Sequence, residues 1–177
     1  MAVLQKILDL FIPAQTETPE IIVSAPICEY EIRPLTDKQL KEVLLLNQRC
    51  FRKGENYTAQ TFNFLLSEPT TLSYRIVTQT DEIVAFIFIT VAEEGTGHIT
   101  TIGVAPEHRR RGLAQKLLVH AEDALRKRGI NTIFLEVRVD NRPAQNLYHQ
   151  SGYAIVQRLP KYYNSGDDGF LMVKSLF

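Results

Sequence analysis

From residue 28 onward the apolar positions change period repeatedly between two and 3.6, which restricts the chain to a mixed α/β domain. Leu72–Thr78 and Ile83–Ala92 alternate around the turn Thr80-Asp81-Glu82. The polar stretch EEGTG then leads into a third alternating run, His98–Val104. Three such runs joined by short turns predict an antiparallel meander. Before it, Tyr30–Pro34 reads as a strand. Thr36 and Asp37 cap a helix with a loose stripe of Leu40, Val43, Leu44 and Cys50, and residues 58–66 suggest a second short helix. After the meander come a helix over 112–128, a buried strand TIFLEVRV at 132–139, a helix over 142–150 ended by Gly152, and strands near 153–158 and 169–176. The expected fold class is α/β (α+β), a mixed, mostly antiparallel sheet of six to seven strands with about four helices. No internal repeat or low-complexity tract is visible.

Charge and cysteine content exclude several functions. With 20 Lys+Arg against 20 Asp+Glu, bulk electrostatics predict no affinity for nucleic acid or an acidic membrane, so any anion site must be local. Two cysteines, Cys28 and Cys50, suit a reducing compartment better than a disulfide scaffold. His98, His108, His120 and His149 form no short ligand pair; each reads as a lone surface histidine, and no metal is expected. At the N-terminus, Leu4, Ile7, Leu8 and Phe11 recur at helical spacing, predicting a short amphipathic helix over 3–12. The prolines at 13, 19 and 26 make the next segment a linker or extended arm. Gln5, Lys6 and Asp9 interrupt the apolar run, so neither a membrane span nor a signal peptide is expected, and the reading is cytoplasmic. The expected organisation is an extension over 1–27 and one domain over 28–177.

The stretch RRRGLAQKLL, 109–118, joins the meander to the longest predicted helix. Orphan N–H groups and the helix dipole make that junction a ready anion site, and Gly112 and Ala114 leave little side chain in the way. The arginines would strengthen the attraction without being the primary ligands, since turn amides can cradle a phosphate. There is no Gly-Lys-Ser/Thr of a nucleotide P-loop and no GxGxxG spacing.

The longer run IGVAPEHRRRGLAQKLL, 102–118, resembles the acetyl-coenzyme A site of the GNAT superfamily, Val-x-Pro-x-x-Arg/Gln-x-x-Gly-x-Gly/Ala. Val104, Pro106, Arg109, Gly112 and Ala114 match each named position. The resemblance implies a GNAT fold in which the fourth and fifth strands splay apart. It implies that amides of Arg109, Arg110, Arg111, Gly112, Leu113 and Ala114 bind the coenzyme's pyrophosphate while pantetheine runs beside Ile102 and Val104. Gly103, inside a strand, suggests a bulge or a close backbone approach.

The segment NRPAQNLYHQSGY, 141–153, is similar to that family's Asn-x-x-Ala-x-x-Leu-Tyr-x-x-x-Gly-Phe/Tyr signature. Asn141 can cap the helix, with Pro143 tolerated in its first turn. The resemblance implies that Asn141 also bonds coenzyme or nearby backbone, and that Tyr148 is the acid protonating the departing thiolate. LEVRVDN, 135–141, resembles the bacterial ribosomal-protein-alanine N-acetyltransferases, where the glutamate matching Glu136 is a proposed base. GHITTIGVAPEHRRRGLAQKLL and KYYNSGDDGF, 161–170, resemble the catalytic subunit of the N-terminal acetyltransferase A complex. In GENY, 54–57, Glu55 and Tyr57 match that group's loop between the first two helices, although Arg52, Lys53 and Gly54 depart from its more apolar lead. Tyr162 and Tyr163 are implied to close over the substrate's first backbone atoms.

These readings converge on acetyl transfer from acetyl-CoA to a protein N-terminus, a ribosomal protein being one possible acceptor. An α-amine of pKa near 8 is roughly a tenth neutral at pH 7, whereas lysine at about 10.4 is neutral in roughly one molecule in several thousand. Glu136 or Glu55 acting through a water is then a sufficient base. Glu136 falls on the face of its strand opposite Ile133, Leu135, Val137 and Val139, so it needs either an ion-pair partner or a site role. Neither cysteine has a histidine nearby in sequence, which favours direct transfer over an acyl-cysteine route. The alternatives are acetylation of a small amine or a lysine side chain, and a non-catalytic acyl-CoA binding module.

Overall fold

The computed structural model describes residues 22–51, 57–92 and 95–177. The predicted helix over 3–12 and the candidate Glu55 lie outside the described residues. Seven strands form one sheet in the order β1-β2-β3-β4-β5-β7-β6: β1 Tyr30–Pro34, β2 Thr71–Thr78, β3 Ile83–Val91, β4 Thr96–Val104, β5 Thr132–Arg138, β6 Ala154–Leu159 and β7 Gly169–Ser175. Only β4 and β5 pair in parallel, because the chain returns between them through a helix instead of a hairpin. The helices are α1 Leu40–Cys50, α2 Ala59–Ser67, α3 Leu113–Lys127 and α4 Arg142–Gln150, which matches the expected mixed, mostly antiparallel fold.

The alternation read over Ile83–Ala92 does not hold: β3 is buried continuously from Val84 to Ile89, because as a central strand it is covered on both faces. On α3, Leu113, Leu117, Leu118, Ala121 and Leu125 are buried along one stripe; each leucine contributes roughly 1.5–3 kcal/mol by leaving water. The helix stops in a Schellman turn. Gly129, at φ 76°, donates its N–H to the Arg126 carbonyl, and the N–H of Ile130 bonds the Leu125 carbonyl.

One irregularity in β4 shapes everything downstream. Ile89 pairs with Ile99 and Phe88 with Thr101, so Thr100 is an extra, bulged residue. Because the side-chain period is two, one inserted residue reverses which face each later position serves. Gly97, before the bulge, lies against Leu125 of α3; Gly103, of the same parity, lies against Phe86 and Cys50 of α1. The close approach expected at Gly103 is that of the Phe86 ring: a Cβ there would stand 2.6 Å from Phe86 Cε1. The bulge itself sits three residues earlier.

Candidate active site

β4 and β5 part company after three paired positions. Thr96, Gly97 and His98 pair with Thr132, Ile133 and Phe134, and beyond them β5 keeps only its partner β7 while β4 keeps only β3. This opens the cleft that the resemblance implied. Ile102 and Val104 lie on its β4 wall, where backbone N–H and C=O groups facing β5 have no ladder partner. At the bulge, the Tyr57 hydroxyl donates to the Thr100 carbonyl at 3.0 Å, which joins the loop ahead of α2 to this wall.

Below the β4 wall the chain enters α3 through a turn with two left-handed residues, Arg110 at φ 61° and Gly112 at φ 73°. Gly112 is the residue preceding the helix, so the amides of Leu113 and Ala114 are first-turn donors without carbonyls of their own helix to bond. Small residues and free amides at a helix N-terminus suit an anionic diphosphate. Two of the three arginines are engaged elsewhere. Arg109 donates from Nε to the Val104 carbonyl at 3.2 Å and from Nη2 to the Cys50 carbonyl at 3.4 Å. Arg111 donates to the Pro26 carbonyl and the Tyr30 hydroxyl at 2.8 and 2.6 Å, and also to the Ala25 carbonyl. Among the described residues no protein group accepts a hydrogen bond from Arg110.

On the β5 wall, Glu136 lies 2.7 Å from His98 Nε2, across the point where the strands separate. The predicted alternation holds, with Ile133, Leu135 and Val137 buried and Glu136 only partly so. Phe134 stacks on the His98 ring at 4.6 Å and 12°, fixing the imidazole plane. Tyr162, about half-exposed, lines the same pocket as Glu136; partial burial first, and then the negative charge of Glu136, push its phenol up to about 12. The pocket beneath, about 420 Å³, runs from Glu136 along Phe134, Leu171 and Val173 to Leu159.

Tyr162 and Tyr163 meet edge to face at 5.1 Å, and Arg138 lies 4.2 Å over the Tyr163 ring while also pairing with Asp167. Gly169 leaves room for both rings, each within 3.4 Å of where a Cβ would be. Asp168 accepts from the Lys161 amide and from Arg158, closing the loop that carries the two tyrosines.

Tyr148 of α4 is buried and meets Tyr153 edge to face at 5.8 Å; burial raises its phenol above the ordinary tyrosine range, which keeps the proton on it. Asn141 caps α4 by accepting from the Ala144 amide at 3.2 Å, while Gln145 bonds the carbonyls of Arg138 and Val139. Cys50 is partly buried, and that burial pushes its thiol up to about 11, against a nucleophilic role.

The reading of four lone surface histidines needs correction. His108 is buried and bonds Tyr30, and His98 is the partner of Glu136. Neither pairing could be read from spacing, because His98 meets Glu136 through the β4–β5 register and His108 meets Tyr30 through packing of segments 78 residues apart. Glu82, Glu107 and His108 also bring ligand-type atoms within 4.8 Å of one another, but Glu107 pairs with Arg49 and His108 with Tyr30. Among the described residues no helix is long and apolar enough to cross a membrane.

Comparison with known proteins agrees with this geometry. Residues 40–153 match the family model described as the acetyltransferase (GNAT) family. The catalytic subunit of the N-terminal acetyltransferase A complex of Arabidopsis thaliana is 33% identical over 150 residues, 82% of this chain and 77% of that protein. N-alpha-acetyltransferase 30 of Schizosaccharomyces pombe is 29% identical over 142 residues, covering 78% of this chain and 93% of that one. The crystal structure of the ribosomal-protein-S18-alanine N-acetyltransferase from Escherichia coli superposes with a TM-score of 0.75 at 28% identity, over 84% of this chain and 94% of that one.

Proposed function

This chain belongs to the GNAT acetyltransferase family, and from that premise we propose that it transfers acetyl from acetyl-CoA to the α-amine of a protein N-terminus by direct attack. The observation that carries the acceptor side is Glu136, held by His98 where β4 and β5 separate, with Tyr162 lining the same pocket. A carboxylate there can orient an incoming ammonium and, directly or through a water, take its proton. An α-amine already neutral in roughly a tenth of molecules at pH 7 asks for no stronger base. Glu55 is the second candidate for that task.

Acetyl-CoA supplies the thioester, and the free amides of Leu113 and Ala114 with the open backbone at Gly112 fit its diphosphate. Arg109, Arg110 and Arg111 belong to the same turn, and the β4 backbone at Ile102 and the N–H of Val104, which have no partner on β5, face an extended amide-bearing arm. Tyr148, kept protonated by burial, is the donor to the leaving sulfur, with Asn141 holding the start of its helix. Tyr57, Tyr162 and Tyr163 line the approach of the peptide. In this reading the catalytic domain spans 28–177, residues 1–27 extend it, and two free thiols suit the cytoplasm. A ribosomal protein is one candidate acceptor.

The test is mass spectrometry of peptides incubated with the purified protein and acetyl-CoA. Each peptide carries an internal lysine and has its α-amine free or blocked. Acetylation confined to free termini supports the reading; equal modification of blocked peptides, or of none, overturns it.

A further inference from the structure

The turn that opens α3 holds a conformation it would not keep alone. Arg110 occupies the left-handed region without being glycine, a cost of order 1–3 kcal/mol that persists only where the surroundings over-determine it. Those surroundings lie outside the sequence motif. The segment just ahead of β1 runs alongside the turn: the Ala25 N–H bonds the Glu107 carbonyl at 3.0 Å, and Arg111 reaches back to the carbonyls of Ala25 and Pro26. The contacts then form a chain. Arg111, which can only donate, gives to the Tyr30 hydroxyl at 2.6 Å, and that hydroxyl in turn hydrogen-bonds His108 Nδ1 at 2.9 Å. His108 is buried, and its ring meets Tyr30 edge to face at 5.8 Å. Arg49 closes the far side through Glu107 at 2.6 Å.

We infer that Tyr30 and Arg111 are positioning residues for the coenzyme's diphosphate: with the arm at 25–26 they fix the amides of the turn, and Arg111 does not serve as an anion ligand. The inference rests on the acetyl-CoA reading above. Its physical content is preorganisation, since amides already set in place lose little entropy when the diphosphate arrives. It also accounts for an arginine whose guanidinium is occupied by protein oxygens instead of facing the anion site.

The test uses full-length protein with Tyr30→Phe, Arg111→Lys, Arg111→Gln and the double variant Tyr30→Phe/Arg111→Lys. Calorimetry gives the Kd for acetyl-CoA, and steady-state kinetics give KM with acetyl-CoA and with S-acetylpantetheine, which lacks the diphosphate. Each single variant is expected to raise Kd and KM for acetyl-CoA about two- to tenfold, the worth of a lost hydrogen bond, with kcat retained. KM for S-acetylpantetheine should not move. The double variant should be no weaker than the weaker single, because both break one chain of bonds. Wild-type affinity in Arg111→Lys with loss in Arg111→Gln would mean that charge alone matters and overturns the inference. So would an equal loss with S-acetylpantetheine, which signals general destabilisation, or no change in any variant. Calorimetry needs no acceptor, so a protein that binds acetyl-CoA but acetylates no peptide breaks only the acceptor reading. A wild-type chain that binds no acetyl-CoA overturns the coenzyme reading and this inference together.

Discussion

The two walls of the cleft work by different means. The β4 wall and the turn below it offer backbone: amides at the start of α3, a glycine at φ 73°, and strand groups beyond His98 that have no partner on β5. The β5 wall offers side chains, with Glu136 held by His98 and Tyr162 beside it over an apolar floor. Backbone recognition is set by local conformation and tolerates most side-chain changes, whereas a carboxylate bonded to a histidine of the other wall is a tertiary arrangement that one substitution removes. Binding of the coenzyme and activation of the amine should therefore be separable.

Glu136→Gln gives the largest effect that would sharpen this contrast. It should lower kcat with a free-amine peptide by about 10²- to 10³-fold while leaving the calorimetric Kd for acetyl-CoA unchanged; loss of coenzyme binding would break the separation. Gly112→Val should do the reverse. A β-branched residue at positive φ costs at least about 1–2 kcal/mol, so the Kd for acetyl-CoA should rise about tenfold, with kcat recovered at saturating coenzyme. His98→Ala removes a positioning bond but not the base, and kcat is expected to fall only about tenfold.

A smaller test concerns the partly buried Cys50 thiol beside the β4 wall. With its pKa raised to about 11, Cys50 is neutral at pH 8, and its thiolate fraction grows only as the pH climbs towards that value. The folded protein should therefore resist maleimide at Cys50 at pH 8, with peptide mapping by mass spectrometry as the readout. Fast labelling would mean that the α1 end opens. The smallest effect is expected from Arg110→Ala, which removes an exposed charge but no amide: Kd for acetyl-CoA should stay within about threefold. A tenfold loss would make that arginine a ligand and weaken the claim that this wall acts through backbone.

Local signals carried much of this protein. The runs Leu72–Thr78, Ile83–Ala92 and His98–Val104 became β2, β3 and β4, and RRRGLAQKLL became the turn and first helical turns of α3. Gly129 and Asn141 act as helix-end residues through contacts within five residues of themselves. Such features are legible because their energetics are short-range: capping, positive φ and amphipathic period are decided by neighbours in the chain.

Other features depended on which strands met. Nothing in TGHITTIGV marks Thr100 as the extra residue; the bulge exists only relative to β3, and it turns Gly103 toward Phe86 and Cys50. Glu136 could be recognised as a charged residue in an apolar strand, but its partner lies 38 residues away and is fixed by the short parallel register between β4 and β5. Arg111 belongs to a run of like charge that resembles an anion site, yet its guanidinium is taken by Tyr30 and by an arm more than 80 residues earlier.

By itself, then, the amino-acid sequence determined the elements, their order, the turn that opens α3 and the candidate acid and base, since each depends on local propensity or on residue type. Tertiary structure alone decided how far β4 and β5 stay paired, which histidine meets Glu136 and what occupies the arginines. Those outcomes follow from register and packing between segments far apart in the chain, where a shift of a single residue exchanges one face of a strand for the other.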